Sequence, residues 1–446
     1  MGTGPPLVLA LVIWSTALSG IVMERPSSQG RPAVGDAVPA ASPLVGRLRI
    51  DAGAFADASG LVLPVYAHVG DLFSLFIRDE ARAIAELDAV ARAGYHGVRV
   101  WSALGCGVST VCPEIDASGE APYWRGREVG PELTTDYYGH VRRFFEAVRA
   151  RRLRLVWSQG DVQVIGDRRA FMTRIAALDA DLGVIDWIDC GNEAWQGAGL
   201  EPEALAACVG HYAAAGGRAL KTLTSAPTEE LADLDAYSID PADAFDVHSF
   251  RGGHVWDKRR HIASLTRSDN PAPRRAVGIN SEPPGSGALV SSTEYPEELD
   301  DESVALLAVA SLIARQAFVW FSGEGVKLDA GLSTAAGFLS VPTAARLLPR
   351  DVMRFQTRHH SGERWKAIRV LEAQGDVRVD GAQASDGRFA YTIDGPPGAY
   401  ALRVARAFDA SLCHPVSGVC EPVAKSAGEV LSVSFARGRI LVGRTR

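Results

Sequence analysis

The sequence predicts an α/β protein in which a (β/α)8 barrel is followed by a small antiparallel β-sandwich. Between residues 60 and 355, eight short apolar segments rich in Val and Ile alternate with helical patterns. Strands that are apolar on both faces are typical of a parallel sheet covered by helices. After residue 358 the helical periodicity disappears, and strand-like segments are separated by Gly, Pro, Asp and Ser turns. The sequence therefore changes from a barrel pattern to an antiparallel pattern at about this residue.

The number and spacing of the predicted elements fit a barrel. A doubly wound open sheet is the alternative, but the Gly-rich phosphate-binding turn that such a fold needs does not follow residue 69. The predicted strands are 61–69, 97–101, 153–158, 184–190, 219–224, 244–250, 275–281 and 317–322. The predicted helices include 79–93, 136–150, 168–181, 202–215 and 300–315.

Length and composition agree with two folded domains. A chain of 446 residues is too long for one ordinary core, and a composition of 47% hydrophobic and 22% charged residues excludes a disordered chain. With a formal net charge of −7, the chain lacks the basic surface that nucleic-acid binding requires. The predicted segments are 1–22 as a signal peptide or N-terminal hydrophobic segment, 23–45 as a linker, 46–357 as the catalytic barrel and 358–446 as the β-sandwich.

The N-terminus favours export. Residues 6–22 form an uncharged apolar run, and Ala17-Leu18-Ser19 before Gly20 fits a small-x-small cleavage site. No Lys or Arg precedes the run, so a retained anchor stays as the alternative to a cleaved signal. A buried core helix is disfavoured, because a Pro-, Ser- and Ala-rich stretch follows. We therefore expect a secreted or periplasmic protein, with an N-terminal anchor as the membrane alternative.

The six cysteines also fit an oxidising compartment. Two pairs flank short loops at spacings that suit a disulfide, whereas Cys190 and Cys208 leave a bridge and free buried thiols equally open. No CxxC pair and no clustered His and Cys residues occur, so we expect no structural zinc, and the sequence indicates no cofactor. The predicted disulfides are Cys106–Cys112 and Cys413–Cys420.

Two glutamates follow predicted barrel strands. Asn192 and Glu193 come directly after the fourth strand, and Glu282 follows the seventh. Reactive groups of such barrels lie at the carboxyl ends of the strands. Two carboxylates at one barrel mouth are what retaining glycoside hydrolysis needs, since one protonates the leaving oxygen and the other attacks the anomeric carbon. A surface turn at Glu282 is the alternative, although Pro283-Pro284 restrict its backbone to an extended conformation.

This pattern resembles clan A of the glycoside hydrolases, over about residues 60 to 355. The resemblance implies that Glu193 is the general acid/base, that Asn192 binds the sugar 2-hydroxyl and that Glu282 is the nucleophile. It also implies that Arg99, near the end of the second strand, keeps the nucleophile ionised. A buried Arg needs a carboxylate partner, and either Glu282 or a structural acid fills that role.

The resemblance extends to two further residues and fails at one. His248 after the sixth strand matches a cleft histidine, although a core histidine is about equally consistent, and Trp320 in the eighth strand matches the tryptophan that floors the sugar subsite. Many clan members have a Tyr two residues after that His, bonded to the nucleophile. Here the position is Phe250, which has no hydroxyl.

Aromatic and acidic residues at predicted strand ends indicate a carbohydrate cleft, because aromatic faces stack on sugar rings. The long segment 103–133 is typical of a functional loop, and core packing is the alternative for any single Trp. The aromatic candidates are Trp101, Tyr123, Trp124, Trp157 and Trp195. The polar candidates at strand ends are His68, Asp71, Asp161 and Glu324.

The sequence therefore predicts a secreted retaining O-glycosyl hydrolase that acts on a β-linked oligosaccharide or polysaccharide. A catalytically inactive carbohydrate-binding barrel is the alternative. A metal-dependent hydrolase is disfavoured, because no His-x-His pair follows the first strand. We expect the C-terminal module to brace the barrel, because its strands carry few aromatic residues. The sequence makes no prediction about the oligomeric state.

Overall fold

The computed structural model describes part of the chain, beginning at residue 44. The described residues are 44–51, 54–70, 72–102, 121–124, 131–134, 136–159, 167–192, 201–225, 239–247, 278–280, 316–321, 327–328, 331–332, 366–367, 370–414, 419–436 and 438–446.

Eight parallel strands pair in one closed sheet. Each strand pairs with its neighbours in sequence order, and the last pairs with the first through Trp320 opposite Ala67. The strands are β4 (Val65–His68), β5 (Gly97–Trp101), β8 (Arg154–Ser158), β9 (Ile185–Ile188), β10 (Leu220–Ser225), β11 (Ala244–Val247), β12 (Gly278–Asn280) and β13 (Gln316–Phe321). All eight lie within the predicted segments or within one residue of them. The predicted parallel sheet is therefore confirmed.

Helices cover the sheet between the strands, and their ends follow from local sequence. Asp79, Asp136 and Asp167 each accept a hydrogen bond from a backbone N–H three residues later, which caps an exposed helix start. The described helices are α1 (Leu72–Arg78), α2 (Glu80–Ala93), α3 (Tyr137–Ala150), α4 (Arg168–Leu182) and α5 (Pro202–Ala214). The predicted helix at 300–315 lies outside the described residues, so the complete eightfold repeat stays a prediction. None of the described helices has the length and apolar character needed to cross a membrane.

A small antiparallel sheet that the sequence analysis did not predict precedes the barrel. It consists of β1 (Arg49–Asp51), β2 (Ala54–Asp57) and β3 (Gly60–Leu61). Phe55 of this sheet contacts Trp187 of β9 edge-to-face, with 4.9 Å between ring centroids. Both belong to one buried cluster with Tyr66, Val156 and Val319 from the barrel strands. The N-terminal sheet therefore completes the apolar core inside the barrel.

Buried polar groups accompany this core. The hydroxyl of Tyr66 donates to a carboxylate oxygen of Asp186 at 2.8 Å, and Nε1 of Trp187 donates to the same hydroxyl at 3.1 Å. Nε of Arg154 donates to the second carboxylate oxygen at 3.1 Å. Burial raises the pKa of Asp186, and the Arg154 cation opposes that rise. This pairing is what allows an acid inside the barrel core.

Antiparallel sheets form the C-terminal part. The six-stranded sheet has the order β16 (Lys366–Ala367), β18 (Arg378–Gln383), β19 (Arg388–Asp394), β24 (Gly438–Thr445), β21 (Phe408–Cys413), β22 (Cys420–Lys425). The three-stranded sheet has the order β17 (Leu371–Glu372), β20 (Gly398–Val404), β23 (Val430–Phe435). The predicted antiparallel module is confirmed, and its description as a sandwich stays a prediction.

The larger C-terminal sheet has two apolar faces. Phe389 and Leu441 share a buried cluster with Leu402 and Val433 of the smaller sheet. Residues of the opposite face belong to the hydrophobic cluster of the barrel and its helices. They are Ala382, Ala390, Ile440 and Val442. The module therefore packs against the barrel, and its bracing role stays a prediction.

One hairpin of the six-stranded sheet carries a disulfide, and two further hairpins complete the described strands. Residues Phe408–Cys413 and Cys420–Lys425 form a hairpin whose last pair is Cys413 opposite Cys420, and a disulfide joins them as the spacing predicted. Within the predicted functional loop, β6 (Ala121–Trp124) pairs with β7 (Pro131–Thr134). The third hairpin joins β14 (Lys327–Leu328) and β15 (Gly331–Leu332).

Candidate active site

The carboxyl ends of β4, β5, β8 and β9 bring polar residues together. Arg99 of β5 is fully buried, and it lies opposite His68 of β4 on one side and Val156 of β8 on the other. The sequence places an Arg in an apolar strand, where it needs acceptors. The structure supplies them from the ends of the neighbouring strands.

The Arg99 guanidinium contacts two predicted or candidate site residues. One terminal nitrogen donates to the side-chain Oδ1 of Asn192, and the other lies 3.4 Å from Nδ1 of His68. Because a guanidinium can only donate, this contact fits Nδ1 of His68 as the acceptor. The structure therefore brings together Arg99 and Asn192, which the resemblance placed in the same site, and adds His68 to them.

Asp189 is a functional candidate that sequence reasoning missed. It is 1% exposed, and its Oδ1 accepts from Oγ of Ser158 at 3.0 Å, from the N–H of Gln159 at 3.2 Å and from the N–H of Gly191 at 2.8 Å. Burial raises the pKa of Asp189, and the positive charge of Arg99 partly offsets this rise. Asp189 is thus a buried acid held by three hydrogen-bond donors and influenced by the charge of Arg99. The signal was an Asp inside the apolar segment 184–190, which burial permits only with partners.

The turn after Asp189 is held from several sides. Cys190 is joined to Cys208 of α5 by a disulfide, which resolves the question that the sequence left open. Gly191 has φ of 141°, in the region that favours glycine. Asn192 then contacts Arg99. Glu193 is the next residue in the chain, and it lies outside the described residues.

Trp101 occupies the end of β5 beside His68. The two rings meet edge-to-face with 5.4 Å between centroids, and Trp101 is half-buried. A Cβ at Gly70 would lie 3.0 Å from Nε2 of His68 and 3.2 Å from Cε3 of Trp101, so a side chain there would press on both rings. The partly exposed indole is in a suitable place for the predicted sugar contact, which stays a prediction.

Two more buried polar residues lie on neighbouring strands across the barrel. Thr224 of β10 and Asp246 of β11 are each 1% exposed. The Thr224 hydroxyl donates a hydrogen bond to Oδ2 of Asp246 at 3.5 Å. Asp246 precedes the predicted cleft residue His248 by two positions. The sequence signal was an acid within the apolar run 244–247.

The Trp157 prediction is wrong. Its ring is fully buried, and it packs edge-to-face against Phe73 and Phe145, with centroid distances of 5.4 and 5.1 Å. These partners lie on α1 and α3, on the outer surface of the barrel sheet. Trp157 is therefore part of the core between sheet and helices and does not reach a cleft.

Other predicted residues are placed only by their strands or not at all. Trp320 lies on β13, and Trp124 lies on β6 opposite Pro131. Among the described residues, no group of three or more His, Cys, Asp or Glu side chains could hold a metal ion. The candidates outside the described residues are Glu193, Glu282, His248, Trp195, Asp161, Cys106, Cys112, Asp71, Phe250 and Glu324.

Comparison with known proteins supports the fold. Neither a protein-family model nor a curated protein matches the sequence. Solved structures match with high probability, and the first is a glycoside hydrolase family 5 protein from Bacteroides vulgatus, at a TM-score of 0.64 and 12% identity, covering 90% of this chain and 93% of that one. A second, described as a glycoside hydrolase, has a TM-score of 0.60 and 13% identity and covers 90% and 97%.

A third similar structure is α-galactosidase I from Mortierella vinacea. It has a TM-score of 0.51 and 9% identity and covers 85% of this chain and 96% of that one. The suspected likeness to glycosidase barrels is thus confirmed for the fold. At such identities the likeness carries no residue roles, so the site must be argued from this chain's own side chains.

Proposed function

We propose that this protein is a retaining glycoside hydrolase, with Glu193 as general acid/base and Glu282 as nucleophile. The observation that carries the proposal is the contact between Arg99 and Asn192 at the carboxyl ends of β5 and β9. It sets a cation beside the residue that directly precedes Glu193. The glycosidase-like barrel fold supports the same function.

The proposed reaction has two displacements. Glu193 donates its proton to the glycosidic oxygen while the Glu282 carboxylate attacks the anomeric carbon, so the bond to the leaving group breaks as a glycosyl ester forms. Glu193, now ionised, then takes a proton from water. The water oxygen attacks the same carbon and releases Glu282 as a carboxylate.

The described residues would assist both steps. Because Oδ1 of Asn192 accepts from Arg99, its amide nitrogen is left to donate to a sugar hydroxyl, as the resemblance implies for the 2-hydroxyl. The positive charge of Arg99 would favour the ionised form of Glu282. The negative charge of Asp189 would partly offset that of this buried cation.

We propose a β-linked oligosaccharide or polysaccharide as substrate. The β linkage rests on the paired glutamates and their resemblance to clan A, because the fold also occurs in a protein described as an α-galactosidase. Trp101 would contact a sugar ring through its exposed part. Further proposed substrate contacts are His248, Trp320, Trp124, Trp195 and Asp161.

We propose an N-terminal export segment at 1–22, a linker at 23–45, a (β/α)8 catalytic domain at 46–357 and a β-sandwich domain at 358–446. Two disulfides, Cys190–Cys208 and Cys413–Cys420, support a secreted or periplasmic location because such bonds persist in oxidising compartments.

The catalytic assignment is tested with Glu193→Ala on an aryl β-glycoside that has a good leaving group. We expect the deglycosylation rate to fall by about 10² to 10⁴, the usual contribution of a general acid/base. Azide should restore part of the rate and yield a β-glycosyl azide, because it needs no base. The matched control is Glu203→Ala, which removes an exposed acid on α5 and should behave as wild type.

Two outcomes would refute the assignment. An active wild type whose Glu193→Ala variant is not rescued by azide would exclude Glu193 as the acid/base. A wild type that binds glycans but hydrolyses none in a broad panel would favour the catalytically inactive binding barrel. The Phe at position 250, where many clan members have a Tyr, also favours that alternative.

A further inference from the structure

We propose that Asp189 is a positioning residue, which anchors the turn carrying Asn192 and Glu193 and balances the charge of Arg99. The inference rests on the proposed function and deepens it, since it concerns how the same site is held. Asp189 lies four residues before Glu193 and has no role in the proposed displacements.

The first support is the hydrogen bonding of a single carboxylate oxygen. Oδ1 of Asp189 accepts from the Ser158 hydroxyl and from the N–H of Gln159, both at the end of β8. The same oxygen accepts from the N–H of Gly191 at 2.8 Å. One buried atom thus joins the end of the third barrel strand to the turn that follows the fourth. Three donors to one oxygen fix that turn more tightly than sheet pairing alone.

The second support is charge. Arg99 is fully buried, and a buried guanidinium without an anion nearby is strongly unfavourable. The positive charge of Arg99 lowers the pKa of Asp189, and the groups that donate hydrogen bonds to Asp189 are the neutral donors of Ser158, Gln159 and Gly191. The Asp189 carboxylate therefore offsets the charge of the buried guanidinium from the segment that leads to the proposed acid/base.

The third support is how the intervening residues are held. Cys190 is tied to α5 by its disulfide, and Gly191 adopts a positive φ of 141°. Asn192 is bound by Arg99. Residues 189 to 192 are thus held by hydrogen bonds and a disulfide, which restricts the backbone that leads toward Glu193. Asp189 is the member of this set whose charge can be removed while its shape is kept.

The test is Asp189→Asn in the full-length protein, with kcat/KM for an aryl glycoside measured from pH 4 to 9. Asn keeps an acceptor oxygen for the three donors and removes the negative charge. Without that charge, neighbouring carboxyl groups ionise more easily, so both limbs of the profile should move to lower pH. For the loss of one charge near a titrating carboxyl group, we expect each limb to move by roughly 1 pH unit.

Ser158→Ala is the matched control. It removes one of the three hydrogen bonds to Asp189 and leaves every charge in place. We expect its pH limbs to stay at their wild-type positions, even if kcat falls by a few fold. A merely structural role for Asp189 would change the activity of both variants without moving the limbs of either.

Each outcome is decisive. A folded Asp189→Asn protein with wild-type pH limbs would overturn the proposal. Should that variant not fold, Asp189→Ser offers a smaller neutral acceptor, and failure of both to fold while Ser158→Ala folds would make Asp189 a folding determinant, which also overturns it. Refutation of the proposed function itself would give a different result, because the wild type would then show no glycosidase activity or the Glu193→Ala variant would show no rescue by azide.

Discussion

Protonation of His96, which lies in the turn that leads into β5, should lower the stability of the fold at acid pH. Its ring Nδ1 accepts a hydrogen bond from the N–H of Val65 at 3.0 Å, and its backbone oxygen accepts from the N–H of Arg154 at the same distance. His96 thus bridges β4 and β8. Protonation would replace the Nδ1 acceptor by a second donor facing the Val65 N–H. Burial accordingly lowers the pKa of His96 from 6.5 to about 4, partly opposed by Asp57.

The sign and size of the effect follow from linkage. A histidine with a lowered pKa in the folded state stabilises the fold above its unfolded value of 6.5, and that stability is lost as the pH falls toward 4. Between pH 8 and pH 5, a shift from 6.5 to about 4 corresponds to about 2 kcal/mol. Because the residue is half-buried, solvent screening reduces this to about 1 to 1.5 kcal/mol.

The perturbation is His96→Asn, whose amide oxygen can accept from Val65 but does not titrate. Urea unfolding, followed by the fluorescence of the nine tryptophans, gives the free energy of unfolding of both proteins at pH 8, 6 and 5. We expect the variant to lose about 1 to 1.5 kcal/mol less than wild type between pH 8 and 5. Equal losses in the two proteins would refute the reasoning, whatever their stabilities at pH 8.

Two further predictions concern the barrel. Replacing Cys190 and Cys208 together by Ala opens a loop with a sequence separation of 18 and should lower the free energy of unfolding by about 3 kcal/mol; a thermal or urea measurement showing no loss would contradict this. Trp157→Ala should cost about 3 to 5 kcal/mol and leave the KM for glycosides unchanged, because the ring packs against helices. A raised KM with unchanged stability would instead return Trp157 to the cleft.

Local sequence was sufficient for the elements whose signals are local. The strand Gly97–Trp101 has the predicted bounds, because an apolar run there is preceded by a glycine turn. The helix Tyr137–Ala150 begins one residue after its predicted start, because Asp136 serves as its N-cap. Alternating apolar runs and helical periods also sufficed for the parallel sheet, since burial on both faces leaves a pattern in the chain itself.

Features that depend on partners distant in the sequence could not be predicted from local patterns. The sheet Arg49–Leu61 has short strands without strong alternation, and what stabilises it is the contact of Phe55 with Trp187. The acid whose charge Arg99 influences was left open, because Asp189 and Arg99 are ninety residues apart in sequence, and only the closed sheet brings their two strands to either side of β8. The Cys190–Cys208 bridge was open for the same reason, since the path of α5 past β9 decides it.

Trp101 and Trp157 illustrate the difference between what the sequence determined and what only the tertiary structure decided. Both lie near the end of an apolar segment, so the sequence by itself determined that each lies near the carboxyl end of a barrel strand. On this ground both were candidates for a contact with sugar. Strand pairing sets Trp101 opposite Ser158 and Trp157 opposite Val100, an offset of one residue. Since successive side chains point to opposite faces of a strand, that offset puts Trp101 beside His68 and buries Trp157 beneath the helices. Only the tertiary structure could make this choice, because the face of a strand that becomes the barrel interior is decided by its neighbours.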